Sequence, residues 1–227
     1  MTKYSEEKDN TKIKIIEAAG EIFAEKGYQN TTVRDICKKA NVYQLSINYH
    51  FGSKENLFKE VLYKTYQDTY EANIEKKVKD LSPEKQLEEI ISSRAHSIFS
   101  NDKRGYFFKI SLSQTAEHNK LFEDIVYPIM KKNFYFVRSV FSEISNNTFD
   151  EFELNYCAYL LISHISIFNM FKKAKFILFN ADNSQKDYNK ENEYNPSEEQ
   201  LEKFIIYVKK FIFAGVEKMK LEKLTSS

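Results

Sequence analysis

Five glycines and three prolines in 227 residues leave few places at which a helix is obliged to stop. A sandwich of many short strands needs a turn signal about every 8–12 residues, and breakers this sparse cannot supply them. Apolar residues make up 42% of the chain and aromatic ones 15%, enough for a sizeable core. The spacing of apolar residues agrees with an all-α fold. From Asn10, the residues Ile15, Ile16, Ala19, Ile22 and Phe23 recur on one helical face up to a stop at Gly27.

The next residues are the most densely punctuated of the chain. In TTVRDICKKA, Thr31 or Thr32 is placed to cap a second helix whose inner face is Val33, Ile36, Cys37 and Ala40. Asn41 then occupies a turn in which a left-handed residue is expected. A short third helix from Tyr43 to His50 ends before Gly52, and Ser53 caps the next one, with Asn56 where a complete capping box would have Glu or Gln. Ser53 to Asp80 reads as one long helix. Ser82 and Pro83 open another, SPEKQLEEIISSRAHSIF, and further helices are expected over Tyr106–Thr115, Phe122–Glu143, Phe149–Phe179 and Pro196–Glu222. Residues 181–195, ADNSQKDYNKENEYN, are polar and unpatterned and read as a loop.

Charge and cysteine usage exclude several classes of protein. Lys and Arg total 34 against 33 Asp and Glu, so any basic face must be local. Cys37 and Cys157 are far apart and without metal-ligand spacing, which fits a reducing compartment; no metal and no cofactor are expected. The first residues lack the apolar core of a signal peptide, and the apolar runs are broken by Lys, Asn or His, so a cytoplasmic protein with no membrane partner is expected.

Two short helices joined by a tight turn, the second with a polar outer face, form the arrangement that lays its second helix in the DNA major groove. Val42, Leu45 or Ile47, and Phe51 can anchor that helix. Tyr43, Gln44, Ser46, Asn48 and Tyr49 are then candidates for the groove, with Leu45 on the same helix and Arg34 able to reach it. Thr32, Tyr49, His50 and Lys54 are candidates for phosphate contacts, Lys54 because it lies at a helix N-terminus whose amides favour anions.

Residues 11 to 60 resemble the DNA-binding domain of the TetR family of bacterial transcription regulators. The resemblance is carried by IIEAAGEIFAEKGYQNTTVRDICKKANV and INYHFGSKENLF, and the wording INYHFGSKE is similar to a branch that includes the CecR-like regulators. The sequence departs from the family pattern at three places: Asn41 for the common turn glycine, Tyr43 for a small capping residue, and Asn48 for an aromatic one. The resemblance implies a homodimer that binds double-stranded, palindromic operator DNA and is released by a small-molecule effector. It also implies two domains, a helix-turn-helix domain over 1–55 and a larger helical effector and dimerisation domain over 56–227.

A stripe at steps of three and four, Leu201, Phe204, Val208, Phe211, Gly215 and Met219, broadened by Ile205 and Ile212, suggests a dimer interface of the last two helices of each subunit. The same stripe in a monomer would be buried internally. Tyr63, Tyr66, Tyr70, Arg94, His96, Phe107, Phe108, Ser111, Tyr127, Met130, Phe134, Tyr159, His164 and Phe168 supply the aromatic walls and polar handles a ligand pocket needs, although most are equally suited to a core. His164 reads as a structural histidine and Arg94 as lying on a solvated face. Pairing Ser111 or Ser97 with His96, His118 or His164 lacks an orienting third residue, so an enzyme is not expected. The alternative to a repressor is a protein-interaction adaptor that keeps the fold without specific DNA reading.

Overall fold

The computed structural model describes residues 3–69, 71–115, 120–170 and 196–225. Among them are ten helices and no strand: α1 (Lys3–Lys26), α2 (Val33–Ala40), α3 (Gln44–Phe51), α4 (Lys54–Gln67), α5 (Ile74–Val78), α6 (Pro83–Phe99), α7 (Lys103–Thr115), α8 (Lys120–Ile144), α9 (Glu151–Met170) and α10 (Glu198–Thr225). The expected loop at 181–195 and the stretch of the expected helix beyond Met170 lie outside the described residues.

Several ends fall where short-range chemistry puts them. Gly27 stops α1 at φ 74°, with its amide donating to the Phe23 carbonyl at 3.0 Å. Thr32 caps α2, and Asn41 ends it in the left-handed region at φ 53°, ψ 51°. Gly52, again at φ 74°, separates α3 from α4. Asp150 and Glu153 form a reciprocal cap, each taking the other's amide, so α9 starts at Glu151 and not at Phe149. Ser197 and Gln200 do the same for α10.

Two expectations are corrected. Helix α1 begins at Lys3, well before Asn10, because the Glu- and Lys-rich leader is a good helix former without needing an apolar face. The single helix from Ser53 to Asp80 is broken after Gln67. There the Thr69 hydroxyl donates to the Tyr66 carbonyl at 2.8 Å and accepts the Ala72 amide at 3.1 Å, offering the backbone a local alternative to the helical ladder. Asn73, left-handed at φ 60°, precedes α5.

The chain forms two compact units: Met1–Ala72 with Ser100–Ile129, and Asn73–Phe99 with Met130–Ser227. Compactness therefore does not divide the chain at residue 55. In the first unit, α1 packs against α2, α3, α4 and α7. Ile15, Phe23, Ile36, Leu57 and Phe58 are sealed from solvent at its centre. The Phe23 and Phe58 rings meet edge-on at 5.0 Å, and Tyr28 closes on Phe58 at 4.6 Å. In the second unit, α6 lies against α5, α9 and α10, with Leu87, Ile91 and Ala95 fully buried. Phe99 at its end meets Phe204 of α10 edge-on at 5.3 Å.

The left-handed Asn41 fixes the direction in which α3 leaves α2. Asn41→Gly is expected to leave stability nearly unchanged, whereas Asn41→Val, with a β-branched side chain at positive φ, should cost about 1–2 kcal/mol. Chemical denaturation followed by circular dichroism checks both.

Candidate nucleic-acid interface

Helix α3 has only eight residues and is held by one face. Ile47 is 1% exposed and Phe51 is also buried, both within the apolar core shared with α1, α2 and α4. The opposite face stands in solvent: Tyr43 is 86% exposed, Leu45 78% and Tyr49 65%, and Gln44 and Asn48 are exposed with them. Ser46 and His50 are half-buried at the edges. Ile47 is thus an anchor and Leu45 is not, which decides between the two alternatives the sequence left open.

The start of α2 is rigid. Thr32 Oγ1 accepts the Asp35 amide at 3.1 Å and donates to Asp35 Oδ2 at 2.9 Å, while the Thr32 amide donates to the same carboxylate oxygen at 3.2 Å. These bonds hold the Asp35 carboxyl below the usual carboxylate range. Both Thr32 donors are engaged by Asp35, so Thr32 caps α2 in this structure. Arg34, two residues into α2, is exposed on the same side of the cap. Lys39 pairs with Glu21 and ties α2 to α1.

A second corner joins α3 to α4. Ser53 Oγ accepts the Asn56 amide at 3.1 Å, and Asn56 Nδ2 reaches back to the Phe51 carbonyl at 3.1 Å. Asn56 thus satisfies the end of one helix and is itself held at the start of the next. Lys54, the first residue of α4, lies with Nζ 4.3 Å from the Tyr28 ring centroid, a cation–π contact that sets its position. Burial, with the negative Glu55 second, raises the Tyr28 phenol, so it stays neutral. Tyr49 and His50 meet edge-on at 5.1 Å beside this corner. Sequence reading missed the parts played by Tyr28, Asp35 and Asn56. Of the three, only the Thr-x-x-Asp spacing of the α2 cap carried a readable signal.

The residues expected to line an effector pocket do not share one unit. Tyr63, Tyr66, Phe107, Phe108 and Tyr127 belong to the first, and Arg94, Met130, Phe134, Tyr159 and His164 to the second. Tyr63, Tyr127, Met130 and Tyr159 are exposed, because each lies on the outer side of its helix. Phe107 is core, flanked by Tyr66 at 5.2 Å and Phe108 at 5.5 Å. Phe134 is half-buried, with its ring 5.9 Å from Tyr135. Tyr70 and the Phe168 side chain lie outside the described residues. Arg94 is not on a solvated face: it is half-buried and donates through Nη2 to Ser166 Oγ at 2.9 Å. Ser111 donates to the Phe107 carbonyl of its own helix. His118 is outside the described residues.

The C-terminal stripe also divides. Leu201, Phe204, Ile205, Val208 and Ile212 are buried inside the second unit, where α10 packs on α6, so they serve the subunit's own core. Phe211 is 65% exposed, and a Cβ added at Gly215 would meet nothing within 4 Å. His164 of α9 stacks on Phe211 at 6.0 Å and 9°, and burial lowers its proton affinity so that the ring is neutral. Met219 is half-buried. Among the described residues, no helix is long and apolar enough to cross a membrane.

Residues 15–61 match the family model described as bacterial regulatory proteins, tetR family. Over 49 residues the chain is 45% identical to the biofilm operon icaADBC HTH-type negative transcriptional regulator IcaR of Staphylococcus aureus (strain Newman), a match covering 22% of this chain and 26% of that protein. The shared stretch is therefore about a quarter of the relative. Among solved structures, FadR from Bacillus subtilis in complex with stearoyl-CoA aligns with a TM-score of 0.64 at 17% identity over 88% of this chain and 96% of that one. AibR in complex with isovaleryl coenzyme A and operator DNA aligns at 0.63 and 16% over 86% and 96%. At these identities the likeness is one of fold, and the fold is TetR-like along most of the chain. Over residues 15–61 the chain is similar in sequence to the helix-turn-helix module of that family.

The seating of Lys54 against Tyr28 gives a direct expectation. Lys54→Ala should weaken binding to specific and random duplexes alike and make the salt dependence of log K shallower by about one unit, as loss of one phosphate contact requires. Tyr28→Leu should give a smaller loss in the same sense, since the charge remains and only its placement is relaxed. Fluorescence anisotropy across a salt series measures both.

Proposed function

We propose that this chain is a TetR-family transcription regulator, a homodimeric repressor that binds palindromic operator DNA in the cytoplasm and is released by a small-molecule effector. The carrying observation is α3, seated through Ile47 and Phe51 with Tyr43, Gln44, Leu45, Asn48 and Tyr49 directed to solvent. A surface helix that exposes two tyrosines and a leucine in one short row needs a partner for them, and the major groove takes such a helix. The negative regulator IcaR, matched over this module, supports repression. The wording of residues 47–55, INYHFGSKE, supports a place in the branch that includes the CecR-like regulators.

In this reading residues 1–55 read DNA and residues 56–227 carry effector binding and dimerisation. Gln44, Asn48 and Arg34 present amide and guanidinium groups suited to base edges, while Tyr49, His50 and Lys54 meet phosphates. Leu45 has no hydrogen-bonding group, so its only base-specific partner in the groove is a thymine methyl. The dimer contact runs over the outer side of α9 and α10, where Tyr156, Tyr159, Tyr207 and Phe211 are exposed and Gly215 permits close approach. The two coenzyme A thioesters in the fold neighbours make stearoyl-CoA and isovaleryl-CoA the first effectors to try. To weaken DNA binding a hundredfold, an effector must prefer the released arrangement by about 2.7 kcal/mol.

Selection of bound duplexes from a random pool tests the reading. It should enrich a palindrome whose half-sites are spaced by about one helical turn, 34–36 Å, or a multiple of it. A pool that stays random overturns it. On the selected operator, replacing the contacted thymine by uracil should cost the wild-type chain about three- to fivefold, the worth of one buried methyl, and cost Leu45→Ala nothing further. Phe211→Glu should convert the dimer to monomer in analytical ultracentrifugation and abolish binding to the full palindrome, while circular dichroism stays that of the folded chain.

A further inference from the structure

The last turn of α6 and the first two turns of α10 bring together three side chains that neither the DNA reading nor the apolar core uses. His96 Nε2 lies 3.6 Å from an oxygen of Glu198 and 3.6 Å from an oxygen of Glu202. The two glutamates are four residues apart on one face of α10, and one donor atom from each of the three residues falls within 4.8 Å of the others. Outside the cluster, His96 Nδ1 is 2.8 Å from the Ser92 carbonyl oxygen, which can only accept, so Nδ1 carries the proton. In the neutral ring the Nε2 lone pair therefore faces two carboxylates.

An imidazole nitrogen and two carboxylates at these distances form a donor set for a cation. The neighbouring charges are committed elsewhere: Lys203 to Glu199 at 2.7 Å and Lys209 to Glu88 at 4.0 Å. Among the described residues, no lysine or arginine pairs with Glu198 or Glu202. We propose that His96, Glu198 and Glu202 bind a divalent first-row transition ion, with Zn2+ the species that fits best.

The donor set and the spacing both point that way. A tetrahedral Zn2+ with bonds of roughly 2.0–2.2 Å has ligand-to-ligand edges of about 3.4 Å, close to the two histidine-to-glutamate separations of 3.6 Å, and the two carboxylate oxygens lie within 4.8 Å of each other. Calcium and magnesium prefer all-oxygen shells, so the imidazole selects against them. The hydrogen bond from Nδ1 to a backbone carbonyl is the outer-shell contact that fixes a metal-binding imidazole in its tautomer. His96 is half-buried and both glutamates are exposed, so solvent reaches the site and water completes the shell. The bound ion would join the end of α6 to the beginning of α10.

Titration of the metal-stripped full chain tests this, with Zn2+ alone followed by calorimetry and Co2+ alone by visible absorption. The same buffer and pH are used for the wild-type chain and every variant. One ion per chain is expected, with the intense visible bands of four-coordinate Co2+. His96→Gln and Glu202→Gln should each weaken binding by about tenfold or more, and His164→Gln should not. All three keep the side-chain volume nearly unchanged, and circular dichroism confirms that each is folded. No binding, or binding equally tight in His96→Gln and Glu202→Gln, overturns the proposal. So does a chain that ignores both metals but loses thermal stability from pH 6 to 8 only when His96 is present, for then a proton is the cation.

Discussion

Burial of Ile47 and Phe51 decides which face of α3 stands in solvent. A helix of eight residues is shorter than the roughly 12–15 needed for marginal stability alone, so local propensity cannot hold it. Sealing an isoleucine and a phenylalanine from water contributes about 1.5–3 kcal/mol each, which is on the scale needed to fix so short an element. Everything outward on α3 inherits its direction from those two contacts. The long α1 supplies the platform, and α4 closes the far side with Leu57 and Phe58.

Electrostatics act on this module at the level of single groups. With a net charge of +1 over the whole chain, no broad positive field draws the protein to DNA. What exists is placement: an anion-favouring helix start at Ser53, a lysine held over an aromatic ring beside it, and an arginine at the start of α2. The Thr32–Asp35 box adds a fixed negative group at that start, beside the positive Arg34.

Much of this was legible in the sequence because it is local. Gly27, Asn41 and Gly52 each announce a positive φ, and Thr32, Ser53 and Pro83 each announce a helix start, so the order and spacing of α1 to α4 could be read directly. The break after Gln67 could not, since a threonine hydroxyl turning back on its own backbone leaves no trace in apolar periodicity. The α10 stripe shows a deeper limit. Leu201, Phe204, Val208 and Ile212 have the spacing of an interface, but periodicity reports that a face is covered and says nothing about which molecule covers it. The same holds for Arg94, whose partner Ser166 stands seventy-two positions away. The cap role of Thr32 was legible because it depends on a residue three positions on, Asp35.

The split between the two faces of α3 has a bearing on how such a protein changes over generations. Tyr43, Gln44, Leu45, Asn48 and Tyr49 make no contribution to the core, and exchange of surface residues generally shifts stability by no more than about 0.5 kcal/mol. Each of them is open to mutation without a folding penalty, one step at a time, through sequences that all remain folded. Under the proposed function, retargeting to a new set of promoters is a walk over five positions on a fixed scaffold, gated by which intermediates still recognise some site. The neighbouring Ile47 and Phe51, one and two residues away in the chain, have no such freedom. A lineage of copies of this gene should therefore diverge unevenly along about two turns of helix, rapidly at one set of positions and hardly at all at Ile47 and Phe51.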